Sequence, residues 1–478
     1  MIQDAAERTK LVLCPPETGA EHCPAGREPR LGAYRATDGL RSRSGLDCFR
    51  RTAGHGRFGT PIERGSRASI GTEAATFCPC FPNAWWMEEH TRAYLRGRFR
   101  DHYRRTEPTP PPDADAREWG YIPWTSGPGT TMVRHKSTLD LGDLGDFLAR
   151  ERPRHVYFSA GRYDDPDAES MAEKGWQGSD LVFDLDADHL PSVELGEDSY
   201  AEMLDKCKDA LLRLLDFLEN DFGFRELDIV FSGDRGYHVH VRDEGVQDLE
   251  RDARREIVDY VRGIGLDLDG LIATEAVGGT AGRKSPAQKR TLRTEGGWSA
   301  RAHRHLLGFV DDLLELDNEA ALARLREFDG IGEGKAEAAL RAARTNYESI
   351  EQGNIDVHPA FYGLAQRLIP AVVAADNAPI DEPVTTDTNR LIRLPGSLHG
   401  GSGLRVAPID RDHVGAFDPL GETIPETFRG QEITVELDEE TTVELDGDSF
   451  TLPADTRGVR EYVGVFLMTR GHAEKGEE

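Results

Sequence analysis

Leu181-Val-Phe-Asp-Leu-Asp-Ala-Asp188 is an apolar run that ends in carboxylates two residues apart. Side chains alternate across a strand, so a strand here sends Asp184 and Asp186 to one face, where both can grip the same metal ion. Downstream, Phe231-Ser-Gly-Asp-Arg-Gly-Tyr-His-Val-His240 sets an arginine between two glycines and then two histidines at strand spacing. That order suits a loop that meets phosphates, because glycine lets backbone approach closely and arginine can hold two phosphate oxygens at once. Carboxylates for metal beside cationic donors for phosphate are the equipment of nucleotidyl transfer. Taken singly, an Asp-x-Asp at a strand end can be a solvated strand terminus and a Ser-Gly-x-Arg-Gly can be a tight turn. Asp188 and His189 read as turn residues, and His240 as structural or functional alike.

Between these motifs, Tyr200 to Glu219 has the apolar spacing of an amphipathic helix, with Leu204, Cys207, Leu211, Leu214, Leu215 and Leu218 on one face. Cys207 is therefore expected in the core. Residues 248–377 read as mostly helical with Gly-rich breaks. Within them Val277 to His305 is the most basic segment, with Arg283, Lys284, Lys289, Arg290, Arg293, Arg301 and Arg304 against Glu295 alone. It reads as either a nucleic-acid contact or a solvated loop. Phe328-Asp-Gly-Ile-Gly-Glu-Gly-Lys335 hints at a helix-hairpin-helix turn, although a plain helix connector fits the same residues. Ile380 to His399 is the next signal, followed by alternating strands around Ile433–Leu437 and Thr442–Leu445 and a closing helix near Val459–Thr469.

The first 86 residues differ from the rest. They hold five of the six cysteines (Cys14, Cys23, Cys48, Cys78, Cys80) and 12 basic against 9 acidic residues, which leaves −31 on the other 392. No helical or strand periodicity persists there, so 1–86 reads as a non-native upstream extension or a disordered tail. The cysteine spacings match no common zinc pattern. A helix opening at Met87 and a Pro-rich joint at Pro108–Pro112 lead into the main domain, 87–478.

At 478 residues the chain can bury a large core. It has no run of about 18 apolar residues and no charged-then-apolar leader, so a cytoplasmic protein without membrane association is expected. A net charge of −28 opposes a polyanionic partner in dilute salt. Adaptation to concentrated salt fits the composition better, since a Debye length of ~3 Å at 1 M removes global charge as the arbiter of binding. Counterion release then gains little, so few phosphate contacts to a nucleic-acid strand are expected.

Asp184/Asp186, the Ser232-Gly-Asp-Arg-Gly-Tyr-His238 loop and the late Ile380-Asp381 resemble, in order, the three motifs of the catalytic small subunit of archaeal and eukaryotic DNA primase. Arg390-Leu-Ile-Arg-Leu-Pro-Gly-Ser-Leu-His399 resembles the archaeal form, here in a halophilic composition. The likeness runs from about Met87 to Lys475 and leaves out residues 1–86. It implies an α/β fold with two sheets forming a cleft, one carrying the carboxylates and the other the Ser232 loop, and a helical insertion at about 248–377. It implies catalytic and metal-binding roles for Asp184, Asp186 and Asp381, with Asp387 the rival for the third place. Ser232, Arg235 and His238 would hold the nucleotide triphosphate from one side, Arg393 and His399 from the other. The activity implied is template-directed synthesis of short RNA primers, with DNA primers a further product, on single-stranded DNA in replication. A 3′-hydroxyl attacks the α-phosphorus as pyrophosphate leaves, with two Mg²⁺ or Mn²⁺ ions ~3.5–4 Å apart in such sites. The partner implied is the large primase subunit, whose iron–sulfur cluster this chain cannot bind for want of four placed thiolates. Many relatives carry a Cys/His zinc site between the first two motifs. Here that interval offers only His189 and Cys207, so no structural zinc is expected.

Three rivals stand beside this reading. A haloacid-dehalogenase-type phosphatase also uses Asp-x-Asp, but its pattern wants Gly and then Thr or Val where Ala187-Asp188 stands. A primase-polymerase of DNA repair would share the fold and metals. An inactive scaffold subunit would be expected to have lost a carboxylate, and none is missing.

Overall fold

The computed structural model describes residues 87–125, 131–266, 268–277 and 287–477, so the expected N-terminal extension with its five cysteines, and Arg283 and Lys284, lie outside the described residues. The strands that build the site are β1 (Arg117–Ile122), β2 (Val133–Lys136), β3 (His155–Tyr163), β4 (Trp176–Ser179), β5 (Leu181–Asp186), β6 (Leu227–Phe231) and β7 (Gly236–Val241). A hairpin of β8 (Ala273–Val277) and β9 (Ala287–Thr291) follows, and β10 (Leu391–Arg393) and β11 (Ala407–Ile409) come after a run of helices. Apart from the β8–β9 hairpin, these strands form two antiparallel sheets. The first has the order β10-β3-β1-β2, with β4 sharing the β10 edge of β3. The second has the order β11-β6-β7-β5.

The chain passes from the first sheet to the second at a single residue, Asp180, between β4 and β5. Asp180 and Arg117 are fully buried, and the Arg117 guanidinium donates to both Asp180 oxygens at 3.1 and 3.0 Å. Arg242 Nε donates to the same carboxylate at 3.1 Å, and His240 Nδ1 stands 3.8 Å away. Arg254 donates to the carbonyls of Asp180 and Ser179 at 2.9 and 2.8 Å. A buried carboxylate tolerates such a position only when charges and donors surround it. The His240 ring stacks on Phe158 at 5.9 Å, so His240 belongs to this corner rather than to a ligand site.

The residue alternation of β5 decides its two faces. Leu181, Phe183 and Leu185 are fully buried together with Leu204, Cys207, Leu211 and Leu214 of the Tyr200–Asp216 helix. Burying a leucine completely contributes ~1.5–3 kcal/mol, so this seam fixes the strand firmly. The helix starts at a capping box in which Ser199 Oγ accepts from Glu202 N–H and Glu202 Oε2 accepts from Ser199 N–H. On the opposite face Val182 packs with Ala160, Ile392 and Val384, and Asp184 and Asp186 share that side.

The expectation that one sheet carries the carboxylates and the other the Ser232 loop is corrected. Residues 232–235 are the hairpin turn between β6 and β7, and β7 pairs directly with β5, so carboxylates and loop sit on one sheet. The reason is local pairing: the four-residue turn closes a β6–β7 hairpin, and β7 then pairs with β5 through Asp184 and His238 and their neighbours. The first sheet instead brings Arg393, at the end of β10.

Between β7 and β10 lie the helices Arg251–Val261, Gly297–Glu315, Asn318–Arg326, Glu333–Thr345 and Pro359–Asp376, with the β8–β9 hairpin. Phe328–Lys335 is the connection from Asn318–Arg326 to Glu333–Thr345, where the Gly330 carbonyl accepts from Lys335 Nζ at 2.9 Å and that of Asp329 from Arg367 Nε at 2.6 Å. Those carbonyls are spent on holding the turn.

Candidate active site

Asp184 lies opposite His238 across the β5–β7 ladder, with Nε2 of the imidazole 3.3 Å from Oδ1 of the carboxylate. Burial pushes the Asp184 carboxyl up, but His238, Arg393 and Arg390 outweigh burial and hold it below its ordinary value. Asp186 behaves oppositely. Burial raises its pKa, the nearby charges of Asp188 and Asp184 add to the rise, and Arg235 offsets only part of it. Two carboxylates with shifts of opposite sign on one strand face form a pair in which Asp184 is charged at once and Asp186 gains from an added cation.

The Ser232 loop is shaped by its glycines. Gly233 has φ of +85°, and a Cβ there would lie 2.7 Å from the His399 Cβ. A Cβ on Gly236 would lie 1.9 Å from the Leu185 carbonyl oxygen, so only glycine lets β7 start so close to the carboxylate strand. Ser232 is buried and its Oγ accepts from the Gly236 N–H at 3.3 Å, which ties the loop shut. Arg235 is ion-paired with Asp188, whose own N–H donates to Asp186 Oδ1 at 3.3 Å. Asp188 is a turn residue that also anchors Arg235.

The third motif docks by backbone. Asp381 N–H donates to the Asp184 carbonyl at 2.9 Å, directly beside the carboxylate strand, and Asp381 stands at the N-cap position of the short Glu382–Thr386 helix without a side-chain cap bond. Asp387 instead lines a cavity of about 360 Å³ with Asp184, His238, Tyr157, Arg390 and Arg393. One Asp387 oxygen already accepts from the Asn389 N–H at 2.9 Å. Asp184 and Asp186 are thus brought together and Asp381 is tethered to them. Among the described residues no three His, Cys, Asp or Glu side chains converge as a metal cluster. In the cavity, His238 Nδ1 and Arg393 Nε are buried without a hydrogen-bond partner. Orphaned buried polar atoms cost free energy until something fills the space with matching groups.

His399 closes the phosphate corner. It is buried, its ring meets His155 edge-on at 4.7 Å, and Ser402 Oγ bonds both the Gly233 carbonyl and His399 Nδ1. Burial, and then the guanidiniums of Arg393, Arg154, Arg470 and Arg235, push the His399 pKa well below its ordinary value. His155 is driven the same way by burial, His399, Arg393 and Arg154. Both rings are therefore neutral at pH 7, and the positive charge of the corner resides in arginines. Arg154 and Arg393 have no carboxylate within ion-pair distance among the described residues, whereas Arg470 meets Asp234 at 3.1 Å.

Ser232, Arg235 and His238 stand beside the carboxylates on one sheet and Arg393 shares a cavity with Asp184 from the other, while His399 packs against Gly233 of the Ser232 loop. Arg154, His155 and Arg390 were not singled out from sequence. Arg390 lay three residues before Arg393 in a recognised run, which was signal enough. Arg154-His155 carries no pattern, and only the pairing of β3 with β10 brings it to His399.

The family described as DNA primase small subunit matches residues 183–411. The DNA primase small subunit PriS of Haloarcula marismortui is 74% identical over 392 residues, 82% of this chain and 100% of the relative. That of Halobacterium salinarum is 64% identical over 392 residues, with the same coverage. That of Methanothrix thermoacetophila is 43% identical over 400 residues, again 82% of this chain and 100% of the relative.

Proposed function

The chain belongs to the DNA primase small subunit family, and from that premise we propose that it synthesises short RNA primers on single-stranded DNA by nucleotidyl transfer at Asp184 and Asp186. The observation that carries this reading is the placement of both carboxylates on one strand face, with Asp184 lining a cavity together with Arg393 of the other sheet. The fold is read as the two-sheet catalytic fold of archaeo-eukaryotic primases, the sheets being pinned at Asp180.

The donor set suits Mg²⁺ or Mn²⁺, since both prefer hard oxygens and a carboxylate pair beside triphosphate oxygens supplies them. Asp184 and Asp186 would hold the metal, with Asp381 as third ligand, because its carboxylate makes no hydrogen bond among the described residues and its N–H is tied to Asp184. When bound, the metal supplies charge neutralisation and a more acidic 3′-hydroxyl. The rest is done by this chain. Arg393 and the Ser232 loop hold the triphosphate against the carboxylates, with Arg235 oriented by Asp188. Neutral His399 offers a hydrogen bond without adding charge, and its burial keeps water from the phosphate corner. His238 steadies Asp184 in its ionised form. These steps position a nucleotide for in-line attack, which is where phosphoryl-transfer enzymes gain most of their rate.

A large primase subunit is the proposed partner and the cytoplasm the proposed location; among the described residues no helix is long and apolar enough to cross a membrane. The haloacid-dehalogenase alternative is set aside by the family match. The test is incorporation of labelled nucleoside triphosphates on an unprimed single-stranded template in molar KCl, with Mg²⁺ or Mn²⁺ and with the large subunit present. Short metal-dependent products are expected. Absence of product under all these conditions would overturn the proposal.

A further inference from the structure

In a chain of net charge −28, one face gathers arginines without a close ion pair, although Glu107, Asp115, Asp143 and Asp146 line one cavity with Arg104. The Glu89–Tyr103 helix and its C-cap, Arg104, set Arg96, Arg100 and Arg104 at four-residue steps of ~6 Å, so they run as a stripe. Elsewhere on the helix arginines are paired: Arg92 with Glu89, and Arg98 with Asp101 and Glu461. Arg96 and Arg104 are exposed and make no ion pair or side-chain hydrogen bond among the described residues, and Arg100 has only Asp101 at 3.8 Å.

A fourth arginine joins from another element. Arg152 ends the Leu144–Glu151 helix in a left-handed conformation, φ +53°, and its Nε is buried without a partner. The Leu144–Glu151 helix packs against the Glu89–Tyr103 helix, and burial and then the guanidiniums of Arg96, Arg100 and Arg104 lower the Arg152 pKa, with Glu151 offsetting part of the effect. Like charges held together are destabilising until an anion lies among them. The helix ends beside the active-site run: Tyr103 Oη accepts from the Leu398 N–H at 3.3 Å, and Arg154, two residues after Arg152, donates to the Gly400 carbonyl at 3.1 Å, beside His399.

We propose that Arg96, Arg100, Arg104 and Arg152 form a track for the phosphodiester backbone of single-stranded nucleic acid running from the active site. This rests on the nucleotidyl-transfer reading and deepens it by naming the face that the strand follows. Arg96 to Arg104 spans ~12 Å, enough to meet more than one phosphate of a single strand. The track is made of arginine alone, which suits molar salt: a planar fork bonds two phosphate oxygens, whereas counterion release gives little there. Template DNA and the nascent primer offer the same backbone, and the experiment separates them.

The test uses the full chain and the variant Arg96→Gln/Arg104→Gln, whose side chains make no internal bonds, with equal thermal midpoints as the folding control. Fluorescence anisotropy measures binding of labelled 30-residue single-stranded DNA and RNA from 0.2 to 2 M KCl. The expected result is at least fivefold weaker binding of one or both oligonucleotides. The log–log salt slope should be shallower by ~1.4, two single-strand contacts at ~0.7 each. Loss in the DNA arm alone assigns the track to template, and loss in the RNA arm alone assigns it to primer. Unchanged affinity in both arms overturns the proposal. So does unchanged affinity together with lost capture of the large subunit, which would make the face a protein interface. Failure of the underlying reading looks different: a wild-type chain with its large subunit that incorporates no nucleotide at all.

Discussion

Replacing Asp180 with alanine should loosen the joint between the sheets, and the structure allows its cost to be worked out. Asp180 and Arg117 are both fully buried, and Arg242 and His240 face the same carboxylate. The substitution leaves the Arg117 guanidinium buried with only carbonyl partners, those of Pro112, Ser159 and Ala160 at 2.8 Å. Breaking a buried pair by removing one partner costs ~3–5 kcal/mol. At ~2.1 cal/mol/K per residue, unfolding about 390 residues carries ~0.8 kcal/mol/K, so the thermal midpoint should fall by ~4–6 °C. The pH dependence has a defined sign. Burial pushes the Asp180 carboxyl up, but His240, Arg117 and Arg242 outweigh it and hold the pKa far below the ordinary value. A depressed folded pKa contributes stability that is fully present above the unfolded value of ~3.9 and is lost as pH falls below it. The gap between wild type and Asp180→Ala should therefore be constant from pH 8 to 5 and close only in acid. Because β5 begins at the next residue, turnover should also drop while the nucleotide Michaelis constant changes less. Differential scanning calorimetry in 2 M KCl across pH is the assay. A midpoint shift under 1 °C at pH 7, or a gap that closes near neutrality, would refute the claim that this ion cluster pins the sheets.

Arg393→Ala should raise the Michaelis constant for nucleotide by ~10-fold or more, the loss of a charged hydrogen bond at ~1.5–3 kcal/mol, and an unchanged nucleotide dependence in steady-state kinetics would remove Arg393 from the triphosphate site. Asp381→Ala should cost over 100-fold in primer synthesis and Asp387→Ala less than tenfold; the reverse order would move the third metal ligand to Asp387. A chain starting at Met87 should synthesise primers as the full chain does, and a start there that fails to fold or to act would show that residues 1–86 matter.

What the sequence disclosed depended on how local the signal was. The Asp184/Asp186 strand face and the Leu204–Leu218 stripe follow from periods of 2 and 3.6, and both stand in the structure because each periodicity pays for itself in burial against a single neighbour. The role of Gly233 was legible as closeness to phosphate, but its packing on His399 was not, since 166 residues separate them. The placement of the Ser232 loop on a second sheet failed for a comparable reason. Motif order says nothing about pairing, whereas a four-residue turn returning β6 into β7 does. Arg154, His155 and the Asp180 cluster were invisible because the partners that define them, Gly400, His399, Arg117 and Arg242, are distant in sequence. Asp180 itself stands one residue before the opening motif and looks there like any polar strand boundary.

The central claim is that Asp184 and Asp186 carry the chemistry. The measurement that tests it most directly is primer synthesis on single-stranded DNA by the Asp184→Ala/Asp186→Ala variant beside wild type, in molar KCl with Mn²⁺ or Mg²⁺ and the large subunit. The account predicts short products from wild type and none from the variant at an unchanged thermal midpoint. Products at a comparable rate from the folded variant would contradict it.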